Sequence, residues 1–280
     1  MAPIPPNARS APALPGRFST LRIGCARAYN LKSMRCPACQ TESRSDVRFC
    51  EACGSPLEAS CLACGAPVPV DTTFCSAWRL AELGDNSGAL EFFRRGDRIA
   101  TAADNVHCRT AVDICHGSVL AHHGDAADAI RILEPATATC REKKFVNWFM
   151  LALASLGYAY ARLGRGVEGI SLAKDAIALQ EETGADVNRA YLHLTLAKTA
   201  LVEGDLERAE ASARLGLAFA EDASERGWEA WNRWALGEIA LQRGDRITAE
   251  READEAQEIA EELGMRPLVE RCRSVLHRVT

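Results

Sequence analysis

The chain has 280 residues, of which 48% are hydrophobic, 25% are charged and only 6% are aromatic. This composition excludes a wholly disordered chain, and no apolar run approaches the roughly 18 to 20 residues that a membrane-spanning helix needs. The formal net charge is -5, but residues 1–70 carry +4 and the remainder carries -9. An acidic main body binds polyanions poorly, so the charge argues against a nucleic-acid-binding main domain.

Residues 1–33 contain five prolines and show neither a helical nor a strand period, which predicts a disordered tail. Two alternatives are a transit peptide, because the stretch is rich in arginine and lacks acids, and a translation start at Met34. The stretch has no continuous apolar core of the signal-peptide kind. The clustered cysteines that follow it therefore predict a metal site in a cytoplasmic protein rather than a disulfide framework.

A four-cysteine pattern begins at residue 36. Cys36 and Cys39 form one CxxC pair, and Cys50 and Cys53 form a second pair after ten intervening residues. Each pair directs two thiolates at one point, and two pairs complete the tetrahedron that a structural zinc prefers. We predict a small zinc ribbon over residues 34–78, with much of its folding free energy supplied by the metal.

The cysteine pattern then repeats with a shift of 25 residues, so that Cys61, Cys64 and Cys75 match the first three ligands. The fourth position holds Trp78, which leaves a second, incomplete zinc site whose occupancy stays open. Catalytic zinc usually adds a histidine or carboxylate beside a base, and residues 61–78 contain no histidine and a single acid. We therefore interpret the second half as a ribbon that has lost a ligand. Across the whole ribbon, residues 34–78, five acids against three arginines and the negative charge of thiolate-bound zinc indicate a structural or protein-contact module rather than a nucleic-acid-binding one.

A period of 40 residues governs the rest of the chain. The repeated glycines are Gly84, Gly124, Gly164, Gly204 and Gly244, and an alanine or glycine follows each by five residues. Aliphatic residues at three- and four-residue steps on both sides predict two helices per unit, with the glycine in a left-handed turn that ends the first helix. Neither helix can bury its apolar stripe alone, so the pairs are expected to stack into an all-α solenoid.

Several residues of these units carry a family resemblance. They are Leu156, Gly157, Tyr160, Gly169 and Ala176 in one unit and Leu236, Gly237, Ala249 and Ala256 in another. This set resembles the tetratricopeptide repeat and implies a right-handed helical solenoid, with units of 40 residues instead of the usual 34. The sequence thus predicts a tail over 1–33, a double zinc ribbon over 34–78 and a solenoid over 79–280.

First helices of such repeats line a concave groove, where the resemblance places a protein or peptide partner. The register assigns to this groove Tyr158, Tyr191, Lys198, Trp231, Trp234 and Glu238. The aromatic residues would serve as anchors, or alternatively would pack between units. Lys198 stands nearly alone as a basic residue, so a terminal-carboxylate ligand is not predicted. His122 and His123, at a helix end, are expected at the surface.

The ribbon pattern together with the C-terminal segment Ala260–Val269 resembles the two ends of large bacterial proteins. Those proteins carry a double zinc ribbon, a class III adenylate/guanylate cyclase domain, an ATPase module and a tetratricopeptide tail. This chain has no GxxxxGK(S/T) phosphate loop and no room for a cyclase domain between residues 78 and 84. An internal deletion accounts for the match, and the enzymatic activities are not expected here.

The sequence as a whole predicts a non-enzymatic protein–protein interaction scaffold in the cytoplasm, with zinc as its cofactor. Neither a membrane nor a small-molecule substrate is expected as a partner. One alternative is a regulatory remnant that docks onto an intact cyclase-type ATPase. Another is a nucleic-acid-associated zinc-ribbon protein.

Overall fold

The computed structural model describes residues 34–35, 42–43, 58–60, 67–69, 74–185 and 188–279. The strands within these ranges are β1 (Met34–Arg35), β2 (Glu42–Ser43), β3 (Glu58–Ser60) and β4 (Pro67–Pro69). The helices are α1 (Phe74–Glu82), α2 (Asn86–Ala102), α3 (Val106–His123), α4 (Ala126–Lys143), α5 (Val146–Arg162), α6 (Gly166–Thr183), α7 (Arg189–Glu203), α8 (Leu206–Asp222), α9 (Arg226–Gln242), α10 (Arg246–Leu263) and α11 (Arg266–Val279).

The helices form consecutive pairs, each made of one inner and one outer helix. The outer helices α2, α4, α6, α8 and α10 begin at intervals of 40 residues, and each packs on the inner helix that precedes it. The inner helices α3, α5, α7, α9 and α11 also pack on one another in chain order. These contacts confirm the prediction of an all-α, tetratricopeptide-like solenoid built from 40-residue units. Among the described residues, no helix has the length and apolar character needed to cross a bilayer.

Left-handed glycines end the inner helices at four of the turns. They are Gly84, Gly164, Gly204 and Gly244, with φ between +78° and +80°. Glycine alone takes this conformation without a steric cost, as the sequence predicted. Gly124 differs, because its φ is -127°. There the prediction of a left-handed turn is wrong, and Arg162 closes α3 instead by donating to the carbonyl oxygens of Ala121 at 2.9 Å and Gly124 at 3.0 Å.

Aspartates begin the outer helices at four of the turns. The capping residues are Asp85, Asp125, Asp205 and Asp245, and each accepts a hydrogen bond from the backbone N–H three residues on. Arg165 takes this position in the remaining turn and makes no side-chain cap. The recurring Gly-Asp dipeptide thus has a local cause, since the glycine ends one helix and the aspartate satisfies a donor of the next.

Small residues at the pair crossings let the two helices of a unit lie close together. The alanines at 89, 129, 209 and 249 are at most 2% exposed. The third unit has Gly169 at this position, where an added Cβ would lie 2.3 Å from the carbonyl oxygen of Gly157. The predicted role of this position, close packing of the second helix on the first, is confirmed.

Helix α1 overlaps the last residues that the sequence assigns to the ribbon. It begins at Phe74 and pairs with α2. Trp78 is 8% exposed and packs in the helical core together with Ala77 and Ala81. Apolar residues at the end of the predicted ribbon therefore also serve in the inner helix of the first pair.

The cysteines whose side chains the structure describes are four buried thiols in the helices. They are Cys108, Cys115, Cys140 and Cys272. Burial raises the pKa of Cys140 to about 11 and that of Cys272 to about 12, since the thiolate loses its hydration in an apolar surrounding. These residues act as small core side chains.

Candidate functional site

Each half-ribbon has one β-hairpin, and the first CxxC pair of that half lies in the sequence between its two strands. In the first hairpin Met34 pairs with Ser43, and in the second Ala59 pairs with Val68. The second pairing is the first one shifted by 25 residues, the same shift that relates the cysteines. Each CxxC pair follows the first strand of its hairpin, which is the position of a zinc knuckle.

The predicted zinc ligands themselves fall outside the described structure. This holds for Cys36, Cys39, Cys50, Cys53, Cys61 and Cys64 and for the side chain of Cys75, whose backbone belongs to α1. The repeated hairpin register and the all-thiolate donor set fit zinc. The cysteines would hold the metal as a structural centre, which adds folding free energy to a segment too short for a core of its own.

The first inner helix of the solenoid, α1, contacts the last one, α11. Helix α1 contacts α3 on one side and α11 on the other. At the second contact, Arg266 Nε donates to the carbonyl oxygen of Leu83 at 2.7 Å, and Pro267 lies against Gly84. The first and last inner helices therefore meet, and side chains from all the inner helices point toward a shared interior.

A central cluster fills this interior. We use this name for Trp78, His122, Tyr158, Tyr191, Lys198, Trp231 and Trp234, each of which is at most 8% exposed. Trp78 of α1 packs edge-on against Tyr191 of α7 at a centroid distance of 5.4 Å. On the opposite side, the guanidinium of Arg271 in α11 lies 5.7 Å from the ring centre of Trp231.

The predicted groove residues are thus covered by the chain. Five of the six belong to the central cluster, and Trp231 is only 2% exposed. The sixth, Glu238, has a side chain 15% exposed and accepts from Arg278 of α11 at 2.6 Å. The expectation of an open groove is wrong in this structure, because α1 and α11 close it. The alternative of aromatic residues that pack between units matches the observed burial.

A chain of hydrogen bonds runs through the central cluster. Ser155 Oγ donates to the Leu151 carbonyl oxygen, so it must accept from Tyr191 Oη at 2.8 Å. Tyr191 in turn accepts from His122 Nε2 at 3.0 Å. His122 Nδ1 is then unprotonated and accepts from Lys198 Nζ at 2.6 Å. One tautomer and one order of donors satisfy every member.

Burial shifts the pKa values in this cluster. It lowers the pKa of His122 well below the ordinary value, and the neighbouring Lys198 charge adds to the effect. Burial and the charge of Arg271 likewise lower the pKa of Lys198 well below the ordinary value, and the carboxylate of Glu82 opposes that shift. Burial raises the pKa of Tyr191 to about 12. The interior therefore favours neutral side chains.

Glu82 at the end of α1 brings a carboxylate to the edge of the cluster. It accepts from Trp231 Nε1 at 2.9 Å, from His123 Nε2 at 3.1 Å and from Trp78 Nε1 at 3.1 Å. Burial alone would raise the pKa of Glu82, but these hydrogen bonds and the charge of His123 outweigh it, so the pKa is lowered. Its side chain remains 13% exposed.

Several members of this site were not predicted from the sequence. His122, expected at the surface, is 6% exposed, because the closed ends of the solenoid cover it. Trp78 and Arg271 were not assigned to the interior. The 40-residue period could have predicted their place in the interior. Trp78 occupies the same position of the repeat as Tyr158 and Lys198, and Arg271 occupies the same position as Trp231.

Comparison with known proteins adds a family match for one part of the chain. Residues 36–77 match the family described as Double zinc ribbon. No curated protein matches the chain. Among solved structures, the chain is similar to two crystal structures of nearly identical TPR-like repeats from a putative kinesin light chain of Podosopora anserina. The identities are 17% and 18% and the TM-scores 0.46 and 0.45, with 68% of this chain and 93% of the other covered in both cases.

Proposed function

We propose that the chain is a non-enzymatic protein–protein interaction scaffold in which a structural zinc ribbon is joined to a tetratricopeptide-like solenoid. The observation that carries this proposal is the stack of repeated helix pairs. Such stacks offer extended surfaces for other proteins. His122 and Lys198, whose pKa values burial lowers well below the ordinary ones, support a non-enzymatic role. They are hydrogen-bonded to one another, and His122 is also hydrogen-bonded to Tyr191 inside the protein.

The zinc ribbon would hold its first metal through Cys36, Cys39, Cys50 and Cys53. The hairpin register supports two equivalent halves, and the packing of Trp78 in the helical core supports the loss of the fourth ligand in the second half. A cytoplasmic location and the division of the chain into residues 1–33, 34–78 and 79–280 belong to this proposal as well, with α1 extending across the second boundary.

Metal analysis tests the ribbon. The purified full chain should retain one zinc after dialysis against a chelator, and Cys53→Ser should lose it, whereas Cys61→Ser should keep it. The zinc-free Cys53→Ser variant should keep the helical circular-dichroism signal, because the helices are held by packing rather than by metal. Two chelator-resistant zinc ions per chain would contradict the incomplete second site.

A purified complex tests the scaffold. Full chain immobilised on a resin should capture a protein that then co-elutes with it at a fixed stoichiometry. The same preparation should show no nucleotide cyclisation or hydrolysis and no salt-dependent DNA binding. Turnover of a nucleotide would replace the proposal by an enzyme, and capture of a cyclase-type ATPase would favour the regulatory remnant.

A further inference from the structure

Helix α1 belongs both to the predicted ribbon and to the solenoid. Residues 36–77 match the double zinc ribbon family, and α1 begins inside that range, at Phe74. Cys75, the third predicted ligand of the second half-ribbon, therefore lies in the first turn of a solenoid helix. Its counterpart in the first half-ribbon is Cys50, which precedes α1 by the whole second hairpin. One predicted zinc ligand is thus part of the helical layer through its backbone.

The two hairpins are connected to α1 by different lengths of chain. The second hairpin ends with β4 at Pro69, and only residues 70–73 separate it from α1. A connection this short spans at most about 18 Å even when it is fully extended. The first hairpin ends with β2 at Ser43, and residues 44–73 separate it from α1. The second half-ribbon is therefore tethered closely to the helix, whereas the first is not.

The remainder of α1 is fixed in the interior of the solenoid. Trp78 packs edge-on against Tyr191 of α7 at a centroid distance of 5.4 Å. Glu82 accepts hydrogen bonds from His123 of α3 and from Trp231 of α9. Because these contacts reach three other inner helices, α1 is expected to unfold together with them as one cooperative unit.

The first turn of α1 gains most from an added constraint. The helix has nine residues, and isolated helices shorter than about 12–15 residues are marginal because their first turn is costly to form. A zinc ion held by Cys61, Cys64 and Cys75 would tie that turn to a second point of the chain. A metal that binds the folded chain but not the unfolded one stabilises whatever unfolds together with its site.

We propose that α1 couples the second half-ribbon to the solenoid, so that zinc held by Cys61, Cys64 and Cys75 stabilises the helices, whereas zinc in the first half-ribbon does not. This inference rests on the proposed joining of a zinc ribbon to a solenoid, and it adds a form of regulation. Three thiolates leave the fourth position of the metal to water, so this zinc is the more weakly held of the two. The stability of the scaffold then follows the supply of zinc.

Thermal unfolding with and without zinc tests the coupling. The full chain is dialysed against a chelator, and its helical circular-dichroism signal is then followed on heating. Zinc in excess should raise the melting temperature of the wild-type chain by at least about 3 °C. Cys53→Ser, which disables only the first half-ribbon, should show the same rise, and Cys61→Ser should show less than about 1 °C. Both substitutions lie outside the helices, so the helical core is the same in both variants.

Hydrogen exchange measures the same effect at α1 itself. In Cys53→Ser, the backbone amides in the first turn of α1 should exchange at least about threefold more slowly with zinc than without it. In Cys61→Ser their exchange should not depend on zinc. Cys64→Ser, which removes a different ligand of the same half-ribbon, should behave like Cys61→Ser and guards against a defect peculiar to one substitution.

Two results would overturn the coupling. One is a melting temperature that responds to zinc equally in Cys53→Ser and Cys61→Ser, or in neither of them. The other is a rise in the wild-type chain that Cys53→Ser abolishes, because it would assign the stabilisation to the first half-ribbon. A chelator-resistant zinc in the wild-type chain alongside either result would leave the proposed ribbon standing. A wild-type chain that binds no zinc would contradict both the ribbon and the coupling.

Discussion

The inner and outer helices bury different kinds of residue although they alternate in one repeat. The outer helices bury alanines almost throughout, for example Ala173, Ala209 and Ala253, each 0% exposed. The inner helices bury tryptophan, tyrosine, histidine and a lysine. Alanine sets a close distance between neighbouring helices, while the large side chains fill the space where the inner helices converge. The repeated small residues thus set the spacing of the helix pairs, and the large side chains that differ between units fill the interior.

The largest effect is expected in the interior, from Trp231→Ala. The indole is 2% exposed and donates to Glu82, so its removal leaves a cavity and takes away one of the three hydrogen bonds to that largely buried carboxylate. We expect a loss of about 3–5 kcal/mol in the free energy of unfolding, measured by denaturant titration. Val167→Ala, at an 83% exposed position, serves as the control and should cost less than about 0.5 kcal/mol. A small effect at Trp231 would mean that the interior is open in solution.

The next effect depends on pH and concerns His193, another buried residue of an inner helix. Burial, with the charge of Arg189 adding to it, lowers the pKa of His193 to about 4. The unfolded chain, with a pKa of about 6.5, binds the proton more readily, so stability falls as pH drops from about 6.5 toward 4. The loss should reach about 2 kcal/mol at pH 5.

The comparison of wild-type chain with His193→Leu isolates this effect. Burial and the charge of Asp97 raise the pKa of Asp113 to about 6, which acts in the opposite direction in both proteins. The stability difference between the two should therefore shift by about 2 kcal/mol in favour of His193→Leu from pH 7.5 to pH 5. A difference that does not change with pH would show that the folded chain accommodates a charged His193.

Gly169→Ala tests the close approach of an outer helix. The added Cβ would lie 2.3 Å from the Gly157 carbonyl oxygen, so α5 and α6 must separate. Overpacking costs about 1–3 kcal/mol, and the better helix propensity of alanine offsets up to about 1 kcal/mol. We expect a net loss of about 1–2 kcal/mol in thermal or denaturant unfolding. Gly164→Ala would not test the same contact, because the positive φ of Gly164 would add backbone strain to any side chain placed there. A neutral Gly169→Ala would show that the outer layer tolerates larger residues and weaken the comparison.

The smallest effect is expected at the start of an outer helix, from Asp245→Ala. The carboxylate accepts from the backbone N–H of Thr248 at 3.1 Å, and loss of such a cap costs about 1 kcal/mol. Asp245→Asn, which keeps the acceptor, should recover most of the loss. Equal melting temperatures for the alanine and asparagine variants would assign the effect to charge rather than to capping.

The helix pairs could be predicted from the sequence because their causes are local. A left-handed glycine and a capping aspartate each recur at four of the five turns, and a small residue follows the glycine by five positions in every unit. Closure of the interior has no such local signal, because it depends on the rotation accumulated over successive pairs. The burial of His122 was missed for this reason, since its cover comes from Trp78 and Arg271, which lie 44 residues before it and 149 after it. Trp78 and Arg271 could still have been predicted by extending the 40-residue period of the inward-facing positions to the first and last helices.

The buried thiols of the helices have a practical consequence for reagents that modify sulfur. The thiolate is the reactive form, and the raised pKa of Cys140 and Cys272 leaves almost none of it near neutral pH. A maleimide or disulfide reagent applied to the native chain should therefore leave Cys140 and Cys272 unmodified until the chain unfolds. Zinc release from the ribbon should then be measurable as a stoichiometric rise in titratable sulfhydryls to which these two cysteines do not contribute.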